Sequence, residues 1–107
     1  MTPAQAIAQA DDLTPNTYPQ SHKLAWVARV EAALSGREGE LQLQTPLLAA
    51  APYDELYIRY IQAQIFLELG EITRYNNAMA LYNNALAQYR RAYIRENAAP
   101  ASHLHRL

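Results

Sequence analysis

A heptad that repeats almost verbatim commits the last third of this chain to an α-helix. Tyr75-Asn76-Asn77-Ala78-Met79-Ala80-Leu81 is followed by Tyr82-Asn83-Asn84-Ala85-Leu86-Ala87-Gln88, and then by Tyr89-Arg90-Arg91-Ala92-Tyr93. Ile72, Tyr75, Met79, Tyr82, Leu86, Tyr89 and Tyr93 are therefore spaced alternately three and four residues apart. That spacing gathers side chains on one stripe of a helix. The repeat predicts a helix over Glu71 to Asn97, roughly 40 Å long at about 1.5 Å per residue. Gly70 just before it marks a tight turn, so its packing partner should be the helix immediately upstream, running antiparallel.

That upstream helix is expected from Pro52 to about Leu69, with Asp54 and Glu55 near its positive end. Its apolar residues cover a wide arc, which asks for more than one neighbour. Thr2 before Pro3 is a helix-start pair, since Thr can cap free amides and Pro loses no hydrogen bond at the first helical position. A short helix should run from Pro3 to Asp11. The two prolines of Leu13-Thr14-Pro15-Asn16-Thr17-Tyr18-Pro19 make a connector. A second helix then begins near Pro19 or Ser21 and ends near Ser35, where Gly36 supplies the stop. Residues 36–52 fit no single pattern, although Leu41 and Leu43 alternate with polar residues in the manner of a brief strand or extended arm. The whole reads as all-α, a small helical bundle whose long C-terminal helix lies antiparallel on the preceding one. Residues 1–97 form its single domain and 98–107, where periodicity is lost, a flexible tail.

The repeat is not symmetric about its seam. Ala78, Ala85 and Ala92 flank it on one side and permit close approach of a neighbouring helix; Asn76, Asn83 and Arg90 flank it on the other. Asparagine inside a helix costs about 0.6 kcal/mol relative to alanine, so Asn76, Asn77, Asn83 and Asn84 together cost about 2 to 3 kcal/mol. Hydrogen bonds to a neighbour or partner are the simplest compensation. Charge is also uneven. Residues 1–71 carry four basic and nine acidic side chains, a net of -5, whereas residues 72–107 carry five arginines against Glu96, a net of +4. Such a split can mark a nucleic-acid site, an anionic partner or head-to-tail self-association, or simply two solvated faces. Arg90, Arg91 and Arg95 beside Tyr89 and Tyr93 form a weak nucleic-acid pattern. Dipole complementarity at a helix C-terminus explains the same arginines without a ligand.

No enzyme chemistry is legible. The chain has no cysteine, which removes disulfides, thiolate metal sites and a thiol nucleophile and fits a reducing compartment. His103 and His105 do not make a metal-ligand set even with His22, and no cofactor is expected. Asp11 with Asp12 and Asp54 with Glu55 are adjacent pairs that point different ways on a helix. None of the three glycines has the context of a phosphate loop. The first residues lack the basic and apolar regions of a signal peptide. No apolar run approaches the roughly 20 residues needed to cross a bilayer, so the protein is expected to be soluble, with no membrane partner.

Pro52-Tyr53-Asp54-Glu55-Leu56-Tyr57, Gly70-Glu71 and Arg74-Tyr75-Asn76-Asn77-Ala78-Met79-Ala80-Leu81-Tyr82-Asn83, together with Pro15-Asn16 and Trp26 followed by Glu31, resemble the head-tail connector, or head-completion adaptor, proteins of tailed bacteriophages and prophages. The resemblance spans about residues 5–97. It implies a non-enzymatic virion-assembly protein whose partners are the portal protein, tail or stopper proteins, and other copies of itself in a ring of about twelve subunits closed by repeated contacts. DNA would pass through the ring's channel without sequence-specific binding. The protein would occupy the virion neck, and the bacterial host cytoplasm during assembly. Asn76, Asn77, Asn83, Asn84, Arg90, Arg91 and Arg95 are the interface residues this reading selects. The segment 36–52 is short for the inserted arm of such proteins. Two other readings stand beside it: a helical-hairpin module of tetratricopeptide type, suggested by Leu69-Gly70 between two helices, and a small DNA-binding regulator, suggested by the arginines.

Overall fold

The computed structural model describes the backbone of residues 1–105 and the side chains of residues 1–97. Four helices follow one another: α1 (Pro3–Leu13), α2 (Gln20–Ser35), α3 (Glu55–Glu68) and α4 (Ile72–His105). There is no strand among the described residues.

The boundaries follow local chemistry. Thr2 caps α1, its hydroxyl accepting from the Gln5 amide at 3.3 Å while the Gln5 side chain accepts from the Thr2 amide at 3.0 Å. This reciprocal pair satisfies two donors that a helix start otherwise leaves open. α1 continues two residues beyond Asp11, to Leu13. Gly36 ends α2 with φ 72° and Gly70 follows α3 with φ 76°, a region in which only glycine rests without strain. At Gly70 its amide donates to the Leu67 carbonyl at 3.0 Å and the Glu71 amide to the Phe66 carbonyl at 2.9 Å. That paired closure reverses the chain between α3 and α4.

α3 is the central element. It packs on α1, α2 and α4, whereas among the described residues α4 meets no helix but α3. Leu56, Tyr57, Ile61 and Ile65 of α3 are fully buried among Ala6, Ile7 and Ala10 of α1, Trp26, Val27 and Val30 of α2, and Tyr82 of α4. The antiparallel register of α3 and α4 shows in two aromatic pairs. Tyr60 meets Tyr82 at 5.0 Å between ring centroids and Tyr53 meets Tyr89 at 6.4 Å, a step of seven residues on each arm of the helical hairpin. α1 is tied to α2 by the buried Lys23, whose ammonium lies 2.9 Å from Asp11 Oδ1 and 3.0 Å from Oδ2. Asp11 also accepts from Asn16 at 2.9 Å. One member of an acidic pair therefore compensates a buried cation that periodicity did not single out.

The seam of α4 differs from the heptad at both ends. Ile72 and Tyr93 face outward, and the buried positions are Ala78, Tyr82 and Ala92, with Tyr75, Met79, Ala85, Leu86 and Tyr89 half-buried. A straight helix turns about 20° per heptad away from a strict seven-residue repeat, so the stripe rotates off its partner at its extremities. The small flank of alanines turns inward instead.

α4 also extends beyond Asn97, its helical backbone continuing through His105. Ala98, Ala99 and Ala101 favour this continuation, whereas Pro100 between them brings no amide donor and opposes it, so local propensity does not account for it. The side chains of the expected tail, and residues 106–107 altogether, lie outside the described residues.

Residues 37–54 enter no long element. Leu41, Leu43, Thr45, Leu47 and Ala49 turn inward while the residues between them face solvent, so the alternation at Leu41 and Leu43 is real, but no strand forms. The segment is held by single backbone bonds to the start of the chain: the Ala4 amide donates to the Leu43 carbonyl and the Leu47 amide to the Met1 carbonyl, both at 3.0 Å.

Candidate interaction surface

The surface arises from a mismatch in length. α3 has 14 residues and α4 has 34, about 21 Å against about 51 Å of helix. From Leu86 onward α4 outruns α3 and is flanked by residues 48–53, with the end of α2 facing it across a gap. A groove opens there, lined by Leu34, Ser35, Arg37, Leu48, Tyr89, Arg90, Tyr93 and Ile94. Around the helix it continues past Tyr53, Gln88, Arg91 and Arg95. Leu48, Tyr93 and Ile94 are 52%, 56% and 60% exposed, an apolar concentration with Arg37, Arg90, Arg91 and Arg95 around it.

The groove's floor is rigidly set. Glu31 on α2 accepts the Tyr57 hydroxyl at 2.5 Å through Oε1 and the Leu48 amide at 3.1 Å through Oε2. The Tyr57 oxygen in turn accepts the Ala49 amide at 2.9 Å. One carboxylate and one phenol thus fix the 47–49 backbone against α2 and α3, leaving Leu47 inward and Leu48 outward. Burial pushes the Tyr57 hydroxyl well above the usual tyrosine range, and its hydrogen bond to Glu31 adds to this. Burial likewise raises Tyr82, with Tyr60 adding and Arg90 opposing. Burial raises Tyr89 as well, and Tyr93, Glu31 and Glu96 add to it.

Of the residues selected from the sequence, Arg90 lines the groove, and Arg91 and Arg95 line its continuation. All three are exposed and make no ion pair among the described residues. They lie more than two turns before His105, so the helix end, whose field is confined to the last turn, does not account for them. Asn76, Asn77, Asn83 and Asn84 are exposed too, and none bonds through its side chain to another described residue. They sit on the α3-paired half of α4, away from the groove. The structure therefore does not join asparagines and arginines into one patch, and it gives the asparagines no internal compensation. The groove itself, and Leu48 and Tyr53 within it, carry no sequence signal; Ile94, like Leu81, lies off the heptad, where a single intramolecular partner would not easily cover it, and both are exposed.

Other chemistry is sparse. Among the described residues no three histidine or acidic side chains gather as metal ligands. Glu55 of the second acidic pair holds Arg59 at 2.6 Å. His103 and His105 lie outside the described side chains. No described helix is long and apolar enough to cross a membrane. No protein-family model matches the chain, and no curated protein or solved structure matches it either.

Proposed function

We propose that this chain is a structural subunit of a head-tail connector ring in a tailed bacteriophage or prophage, docking below the portal protein and joining the head to tail or stopper proteins. The observation that carries this reading is the uncovered second half of α4, where exposed Tyr93 and Ile94 stand beside Arg90, Arg91 and Arg95 on a rigid helix. Aromatic and arginine side chains on a firm support are the composition of protein-binding surfaces. The sequence resemblance supplies the partner, and the charge split between the two parts of the chain supplies a means for copies to attract one another.

In this reading the protein has no catalytic role and needs no cofactor. Copies close into a ring of about twelve on the portal template, with DNA passing through the channel and no base being read. The finished location is the virion neck. The test is a size measurement of the purified protein, alone and mixed with the portal ring from the same genome. A portal-dependent shift to a defined ring is expected, and Arg90→Glu/Arg91→Glu should weaken it while leaving helicity intact. A folded chain that leaves the portal ring's mass unchanged at tens of micromolar would remove the connector reading.

A further inference from the structure

A second exposed apolar patch lies at the opposite end of the α3–α4 hairpin. Leu67, Leu69 and Ile72 are 40%, 52% and 54% exposed around the Gly70 turn. Glu68 is exposed there without an ion pair among the described residues, while Glu71 is shared with Arg74 at 3.4 Å. The turn end therefore carries Glu68 and Glu71 with Arg74, a net of -1, and the groove end carries Arg37, Arg90, Arg91 and Arg95 with Glu96, a net of +3. The 22 residues from Ile72 to Ile94 span about 33 Å of helix, so neither patch can cover the other within one chain.

We propose that the α3–α4 turn of one copy seats in the α4 groove of a second copy, Leu69 and Ile72 against Tyr93 and Ile94, with Glu68 facing Arg91. This names the self-contact and rests on the self-assembly of the preceding reading, though not on the portal. The charges decide the pairing. Groove against groove sets arginine on arginine, and turn against turn sets Glu68 on Glu68, whereas turn in groove brings opposite signs together around apolar contacts. The contact is heterologous, so any open row of copies keeps one free turn at one end and one free groove at the other, and addition continues until rotation closes a ring. A contact made by one turn is small, so free copies associate weakly and salt weakens them further.

The absence of cysteine from the sequence permits a direct test in the full chain. Leu69→Cys with Ile94→Cys places thiols on both patches, and within one copy they are too far apart to bridge, since a disulfide needs Cα atoms within about 7 Å. Mild oxidation at low salt should give a ladder of dimers, trimers and larger species on a non-reducing gel, and each single variant dimers at most. A control pair at exposed positions outside both patches, Gln9→Cys with Ala25→Cys, should give no ladder. Adding Arg91→Glu should reduce the ladder about tenfold, and adding Glu68→Arg to that variant should restore it, a pattern expected of a directly facing charge pair. A folded double-cysteine protein without a ladder, or efficient cross-linking by Ile94→Cys alone, overturns the contact. So does binding of a duplex DNA fragment that Arg91→Glu abolishes while no ladder forms. Ring formation on the portal without the ladder would leave the connector reading standing and remove only this contact; a ladder without portal binding would do the reverse.

Discussion

The two halves of α4 carry the same heptad and meet different surroundings. In the first, Tyr75, Ala78, Met79 and Tyr82 lie against α3, and Tyr60 covers Tyr82. In the second, Tyr89 and Ala92 turn inward toward a loop and Tyr53, while Tyr93 and Ile94 remain in solvent. A repeated pattern thus has one meaning where a partner helix runs beside it and another where that partner has ended. In the first half the repeat is core; in the second it is half core and half surface.

The sharpest way to break this comparison is truncation of one tyrosine in each half. Tyr82→Ala should cost about 3 to 5 kcal/mol, the usual range for a large buried aromatic, while Tyr93→Ala should stay within about 0.5 kcal/mol, as exposed sites do. Denaturant unfolding midpoints decide it. Comparable losses at both positions would mean that the second half is packed as fully as the first.

Next in size is the knot under the groove. Glu31→Ala removes the acceptor of both the Tyr57 hydroxyl and the Leu48 amide; the buried Tyr57 hydroxyl left unpaired costs about 1 to 3 kcal/mol, and the exposed Leu48 amide, which water can reach, less. Amide exchange at Leu48 and Ala49 should accelerate selectively, with the centre of α4 unchanged. Uniform acceleration would show that the loop and the helix open as one unit.

The helices were legible because their signals are local. Thr2-Pro3 starts a helix through its own capping bond, and Gly36 and Gly70 stop two others through their own φ values. The wide apolar arc of α3 likewise announced several neighbours. The groove was not legible, because it depends on where α3 stops relative to α4 and on the path of residues 37–54. That path is held by the distant backbone groups of Met1 and Ala4 and by Glu31, and no short window of sequence contains such partners. Lys23 was missed for the same reason, its counterion lying on another helix. Arg90, Arg91 and Arg95 are exposed, and a strictly periodic heptad turns Ile72 and Tyr93 inward where the structure leaves them in solvent.

Alkaline pH separates the fully buried phenol under the groove from the half-buried one on α4. The raised Tyr57, Tyr82 and Tyr89 hydroxyls contribute stability that is fully present below the unfolded value of about 10 and is lost as pH rises through their folded values. Unfolding free energy should therefore fall above about pH 10. Tyr57→Phe should flatten that fall more than Tyr89→Phe, as followed by tyrosinate absorbance and unfolding at each pH. Equal flattening would mean that the half-buried Tyr89 phenol is shielded as well as the fully buried Tyr57.

The smallest effects belong to the asparagines. Each of Asn76→Ala, Asn77→Ala, Asn83→Ala and Asn84→Ala should stabilise the free protein by about 0.6 kcal/mol, since the side chains are exposed and helix propensity is then the main change. Thermal melting of the fourfold variant sums the effect into a measurable shift. Destabilisation instead would reveal hydrogen bonds in the free molecule, and weaker ring formation at unchanged fold would assign these residues to the assembled state.

The seven-residue step between the two tyrosine pairs leaves an ambiguity of alignment. Sliding α4 by one heptad would bring Tyr89 to Tyr60 and a nearly identical set of neighbours with it, as a rack with equal teeth engages at more than one notch. What removes the alternative is the shortness of the link at Gly70, whose φ of 76° leaves no slack. No atom lies within 4 Å of where a side chain would begin there, so the glycine is needed for its backbone angle and not for room. A single residue of turn geometry thereby selects one alignment from a sequence that, by repeating itself, permits several.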